Sequence, residues 1–239
     1  MAGHSKWAQI KRKKAANDNA RGKVITKHIR AIQAAVRSGG SGDPAGNLGL
    51  KNALAAAKTD QIPQENIDRA IERALGGADG GGFDEVVYEG YGPASVALIV
   101  EALTDNRNRT IAEVRHAFSK YGGNMSGSTA WQFDTKGIII VTETSERAQE
   151  LAIELGADDI EVEESLIIYT PPSELYAVVE GFQQAGIEPE SSQLTKVPQT
   201  PMLLSAVDAA KVVRMIEALE DLDDVQNVYS TADLSNYED

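Results

Sequence analysis

The sequence predicts a multidomain α and α+β protein: an N-terminal three-helix domain, an α+β second domain, and a ferredoxin-like third domain inserted in the second. Three observations predict it. Apolar residues follow a helical period through residue 74, the glycine-rich run GGADGGG at 76–82 then breaks the pattern, and from residue 85 onward short apolar strands alternate with helices. The corresponding domains are 1–78, 79–134 together with 201–239, and the inserted 135–200.

Taken in order, Ile25, Ile29, Ile32 and Val36 recur at i, i+4, i+7 and i+11, which makes 24–36 a helix with one apolar face. The run SGGSGDP at 38–44 ends it. A second helix over about 46–58 carries Leu50, Leu54 and Ala57. A third opens near Pro63, a first-turn proline, shows Ile67, Ala70, Ile71 and Ala74, and stops at Gly76-Gly77. EVVYEGY (85–91) and SVALIVEAL (95–103) read as strands joined at Gly92-Pro93, followed by a helix over 108–120 and a strand STAWQFD over 128–134. YGGNMSGST (121–129) reads as a mobile inter-domain loop.

A complete βαββαβ series comes next: GIIIVTE (137–143), a helix over 145–155, DIEVE (159–163), LIIYT (166–170), a helix from Ser173, and a strand over 188–197. The tail supplies a strand at 202–207, a helix at 209–220 and a strand near 224–230. That tail is too small to bury a core of its own, so it completes the 83–134 unit.

Composition narrows the chemistry. The chain of 239 residues has no cysteine, which excludes a disulfide framework, thiolate metal sites and cysteine nucleophiles. Its three histidines, His4, His28 and His116, lie far apart in sequence, and the reading assigns no metal and no cofactor. No apolar run approaches a membrane span, and the basic N-terminus lacks the apolar core of a signal peptide, so the expectation is a cytoplasmic protein with no membrane partner. No nucleophile–base constellation stands out, and the expectation is a non-enzyme.

Charge carries the strongest signal. The chain's net charge is −13, yet its first 37 residues hold ten Lys or Arg and a single acid, a net of +9, which leaves −22 for the other 202 residues. Such an asymmetry concerns partners rather than fold. Lys6, Lys11, Arg12, Lys13, Lys14 and Arg21 precede the first helix or open it. Lys23, Lys27, Arg30 and Arg37 group on that helix opposite its isoleucine face, a stripe suited to phosphates through counterion release. On this reading, Gln at Lys23, Lys27 and Arg30 leaves the helix and its packing intact. Trp7 is either a stacking group for a base or an anchor for the arm. In TDNRNRT (104–110), Arg107 and Arg109 either grip a phosphate or carboxylate, or pair with nearby acids while Asp105, Asn106 or Asn108 caps the helix. The segment 137–200 sets Arg147 and Lys196 against thirteen acids and lacks the aromatic strands of an RNA-recognition motif, so it reads as an acidic interaction or spacer domain.

Several stretches together resemble the YebC/PmpR family: MAGHSKWAQIKRKKAANDNARGKVITKHIR at the start, DP at 43–44, IPQENIDRAI (62–71), YEGYGP (88–93) and LTDNRNRTIAEVRHAFSKYGGN (103–124). The short MSGS at 125–128 departs from the family pattern, which has a longer linker there. The resemblance implies a three-domain, non-enzymatic regulator. Members are described as DNA-binding transcriptional regulators, and others as ribosome-associated factors that aid translation, notably through proline-rich stretches. The eukaryotic relatives are mitochondrial translational activators of cytochrome c oxidase subunit I. The implied partners are duplex DNA or ribosomal RNA, and the residues that match are Lys6, Trp7, Lys11, Arg12, Lys13, Lys14, Arg21, Lys23, Lys27, Arg107 and Arg109, to which the stripe adds Arg30.

Overall fold

In the computed structural model the described residues are 18–76, 83–235 and 237. They form two compact units: one from the chain up to Phe133 and again from Pro198, the other Asp134–Val197. The basic stretch 1–17 and the glycine-rich 77–82 lie outside the described residues.

The first unit starts with three helices: α1 (Asp18–Gly39), α2 (Leu48–Thr59) and α3 (Gln64–Gly76). Ile32, Val36, Leu50, Ala57, Ile62, Ile67, Ala70 and Ala74 make their shared core, and Ile25 and Ile29 pack against it half-buried. Asn47 sets the α1–α2 corner. Its Oδ1 accepts the Leu50 amide at 3.0 Å, while Nδ2 donates to the carbonyls of Ala35 at 2.8 Å and Ser41 at 2.9 Å. This buried side chain has both ends satisfied, as burial requires.

A three-stranded antiparallel sheet follows, ordered β1 (Asp84–Tyr91), β2 (Ala97–Thr104), β8 (Val225–Ser230). Alternation along β2 decides what each face meets. Leu98, Val100 and Ala102 pack with Val114 and Phe118 of α4 (Arg107–Lys120) and with Val212, Val213, Ile216 and Leu219 of α7 (Ala206–Glu220). Ala97 and Ile99 turn the other way, toward Phe133, Tyr229 and Tyr91. The tail therefore supplies both a helix and the third strand to this layer. The β2–β8 register shifts between Glu101 and Ala102, and just beyond the shift the Leu103 amide donates to the Asp224 carbonyl at 2.8 Å.

Four expectations change here. Gly92-Pro93 is not a simple turn: a 3₁₀ turn over Pro93–Ser95 joins β1 to β2, with Ala94 and Ser95 at φ of 55° and 60°. STAWQFD is not a strand over its whole length, because Ala130–Gln132 is a 3₁₀ turn and β3 (Phe133–Val141) begins only after it. Glu89 explains why the backbone there cannot pair in a sheet. Its carboxylate accepts Ser128 Oγ at 2.8 Å, the Ala130 amide at 2.8 Å and the Thr129 amide, and these donors hold its pKa below the usual carboxylate range. The segment 121–129 is accordingly pinned rather than loose: Asn124 bridges Tyr91, and the buried Thr129 hydroxyl donates to the Leu98 carbonyl at 2.9 Å. The expected strand at 202–207 shrinks to β7 (Met202–Leu203), parallel to β9 (Ala232–Asp233), because Ser205 caps the start of α7.

The second unit runs β3, α5 (Glu146–Glu154), β4 (Asp159–Val162), β5 (Leu166–Thr170), α6 (Leu175–Gln184), β6 (Ser191–Pro198), with sheet order β4-β5-β3-β6. Ile139, Val141, Leu166 and Ile168 face Ala148 and Ala152 of α5 and Leu175, Val178 and Phe182 of α6.

Two glycines test the close approaches of the first unit. A Cβ at Gly90 would sit 2.4 Å from the Asn124 carbonyl oxygen and 2.6 Å from the Phe118 ring, so Gly90→Ala costs about 1–3 kcal/mol of unfolding free energy. Gly22, on α1, has nothing within 4 Å of that position, and Gly22→Ala gains about 0.5–1 kcal/mol. Chemical denaturation of both variants checks the pair; equal effects would contradict the packing described.

Candidate nucleic-acid interface

The stripe forms, but it is not open. Lys23, Lys27 and Arg30 do share one face of α1, as their i, i+4, i+7 spacing requires. That face is docked on the C-terminal end of α7. Lys23 Nζ meets Asp221 Oδ1 at 2.9 Å and the Asp221 carbonyl at 3.3 Å, and Lys27 Nζ donates to the Glu220 carbonyl at 2.8 Å. Arg30 Nη1 donates to the Asp223 carbonyl and to Asp224 Oδ1, both at 2.6 Å. A helix C-terminus leaves its last carbonyls without intrahelical donors and carries a partial negative charge, so three cations from another helix complement it. The expectation that Gln at all three positions leaves packing untouched is therefore corrected: these side chains join the helical layer to the sheet layer.

Asp224 lies behind this contact and is only 2% exposed. Its Oδ1 takes Arg30. Its Oδ2 takes Arg109 Nη2 at 2.7 Å and the Thr110 hydroxyl at 2.6 Å. Thr104 Oγ1 lies 3.2 Å from the same oxygen and accepts the Asn106 amide at 2.8 Å. Burial by itself would raise the pKa of Asp224. The hydrogen bonds from Thr110 and Arg109, with the charges of Arg109 and Arg30, outweigh it and hold the carboxyl below its ordinary value.

The segment TDNRNRT supplies most of this cradle. Asn106 is the N-cap of α4, its side chain accepting the Arg109 amide at 3.1 Å. Arg109 also pairs with Asp105 at 2.8 Å, and its two carboxylate partners raise its pKa further. Arg107 pairs with Asp84 at 2.7 Å in an exposed setting. The capping by Asn106 and the pairing of Arg107 and Arg109 with nearby acids are both present in this geometry.

The structure thus brings Lys23, Lys27, Arg30 and Arg109 to one place and pairs Arg107 with Asp84 at the start of β1. Lys6, Trp7, Lys11, Arg12, Lys13 and Lys14 lie outside the described residues, and so does the side chain of Arg21. Sequence reasoning missed Asp224 because it sits among Glu220, Asp221 and Asp223 with nothing local to mark it. It also missed Phe83, whose ring centre lies 5.9 Å from both the Arg30 and the Arg37 guanidinium carbons. Trp131 went unnoticed as well. It stands 69% exposed, its indole N–H fixed to the Ser128 carbonyl at 3.1 Å.

Asp224→Ala leaves the hydrogen-bond donors of Arg30, Arg109 and Thr110 without this acceptor and costs about 1–3 kcal/mol, the range for removing one partner of buried hydrogen bonds. Because the folded pKa lies below the unfolded value of about 3.9, the carboxylate's contribution is complete above that value and is lost as pH falls through the lower folded one. Denaturation titrated from pH 6 to pH 2 checks this: wild type loses stability at the acid end, and Asp224→Asn lacks that component. An identical pH profile for the two proteins would contradict the network.

Comparison with known proteins agrees across the whole chain. A family model described as the TACO1/YebC protein N-terminal domain matches residues 5–77, and one described as the TACO1/YebC second and third domain matches residues 83–232. A probable transcriptional regulatory protein of Deinococcus radiodurans is 58% identical over 243 aligned positions that cover 100% of both chains. A protein of Thermus thermophilus with the same description is 55% identical over 237 positions, covering 98% of this chain and 97% of its own. The crystal structure of a conserved hypothetical protein from Aquifex aeolicus superposes with a TM-score of 0.81 at 44% identity, covering 90% of this chain and 91% of that one. The chain belongs to the TACO1/YebC family.

Proposed function

We propose that this protein is a non-enzymatic, nucleic-acid-binding regulator of gene expression that acts on duplex DNA through its basic N-terminal region. One observation carries the reading: a net of +9 is concentrated in the first 37 residues of a chain whose total is −13. A polyanion is attracted to that segment and repelled by the rest. The descriptions of the relatives from Deinococcus and Thermus as probable transcriptional regulatory proteins support it. No helix among the described residues is long and apolar enough to cross a membrane, and the reading places the protein in the cytoplasm without a cofactor.

The reading includes three modules, 1–78, 79–134 with 201–239, and 135–200. The strand order β4-β5-β3-β6 with its βαββαβ sequence supports a ferredoxin-like assignment for the last. Its acidity suits a spacer or protein-facing module rather than a second nucleic-acid surface. Ribosomal RNA is the second reading. What favours it is the stripe's composition: Lys and Arg position a phosphate backbone, whereas reading bases in the major groove needs Asn, Gln or bidentate Arg presented by an inserted helix.

Replacing Lys11, Arg12, Lys13 and Lys14 together by Gln tests the reading. Removing one cation that neutralises a phosphate lowers the slope of log affinity against log salt by roughly 0.7–0.9, so removing four lowers it by about three. Fluorescence anisotropy across a salt series, with a DNA duplex and an rRNA hairpin in parallel, measures the slope and ranks the partners. An unchanged slope on both would contradict the assignment of these residues.

A further inference from the structure

The stripe on α1 is needed by two anions. Lys23, Lys27 and Arg30 have a spacing and chemistry suited to phosphates, and the structure shows all three committed to the end of α7. One ammonium or guanidinium cannot fill both roles in the same geometry. We propose that the α1–α7 contact is an autoinhibitory latch: a nucleic-acid backbone competes with the α7 C-terminus for these three cations, and full binding requires the helical layer to lift from the sheet layer. This inference rests on the nucleic-acid reading above and adds its regulation.

Three features make the contact exchangeable. Its outer part is wet, with the Lys23 side chain 46% and the Asp221 side chain 72% exposed, and exposed pairs of this kind contribute only about 0.2–1 kcal/mol. The hydrogen-bond partners of the three cations are carbonyls and carboxylates, and polar interfaces within a chain are the ones that move. Release of Arg30 also leaves no orphaned buried charge, because Asp224 Oδ2 keeps Arg109 and Thr110 from within the sheet layer. The open state is therefore a compensated structure, and the phosphates supply the exchange partner for the three cations.

The experiment uses the full chain, whose lack of cysteine lets two introduced thiols be labelled cleanly. Spin labels at Glu72→Cys on α3 and Ser119→Cys on α4, both exposed positions, report the separation of the two layers. Addition of a DNA duplex or an rRNA hairpin lengthens that distance. In unlabelled protein, Asp221→Asn weakens the latch and tightens binding about two- to five-fold, whereas Glu154→Gln, which removes one exposed negative charge from the second unit, does not. If wild type binds either nucleic acid while the label distance stays fixed and Asp221→Asn behaves like Glu154→Gln, the latch is overturned and the nucleic-acid reading stands. If neither wild type nor Asp221→Asn binds either one, both fall, and the contact is a permanent structural joint.

Discussion

A carboxylate taken out of water must be matched, and Asp224 is matched from both layers of the first unit. Arg30 reaches it from α1; Arg109, Thr110 and Thr104 reach it from the strand end and helix start of the sheet layer. Much of the local architecture follows from that requirement. The β2–β8 register shift brings the chain past Leu103 where Asp224 enters, a common use of a bulge in aiming a side chain. The cap on α4 orients Arg109, and the cations of α1 complete the end of α7. Arg30 and Arg109 are each more than a hundred residues from Asp224 in sequence, so the network forms only once tail, sheet and helical layer have met.

The same arrangement resolves an electrostatic problem. The first 37 residues are strongly basic and the rest is strongly acidic, so attraction within the chain is expected wherever the two can meet. On α1 they do meet. Cations that sequence composition assigns to a partner are held by the protein's own helix end. This does not remove the attraction for a polyanion; it sets a competitor against it.

Local pattern was legible and long-range pairing was not. The periodicity of Ile25, Ile29, Ile32 and Val36 located α1, the βαββαβ order of 137–197 was readable from alternation and turn residues, and LIIYT is β5 residue for residue. The grouping of Lys23, Lys27 and Arg30 was equally plain, since helix geometry dictates it. What the stripe touches was hidden, because Asp221 lies 198 residues from Lys23 and nothing short-range connects them. STAWQFD misled for a related reason: its residues have strand propensity, but Glu89 on a different strand captures their amides. In TDNRNRT the capping role of Asn106 was readable, whereas the second carboxylate on Arg109 was not.

The central claim is that the Arg30–Asp224 interaction couples the helical layer to the sheet layer, and a double-mutant cycle measures that coupling most directly. Unfolding free energies of wild type, Arg30→Met, Asp224→Asn and the double variant at neutral pH isolate the pairwise energy from the cost of each change alone. The expected coupling is about 1–3 kcal/mol, with Arg30→Met less harmful once Asp224 has lost its charge. Strictly additive effects, within about 0.3 kcal/mol, would contradict it.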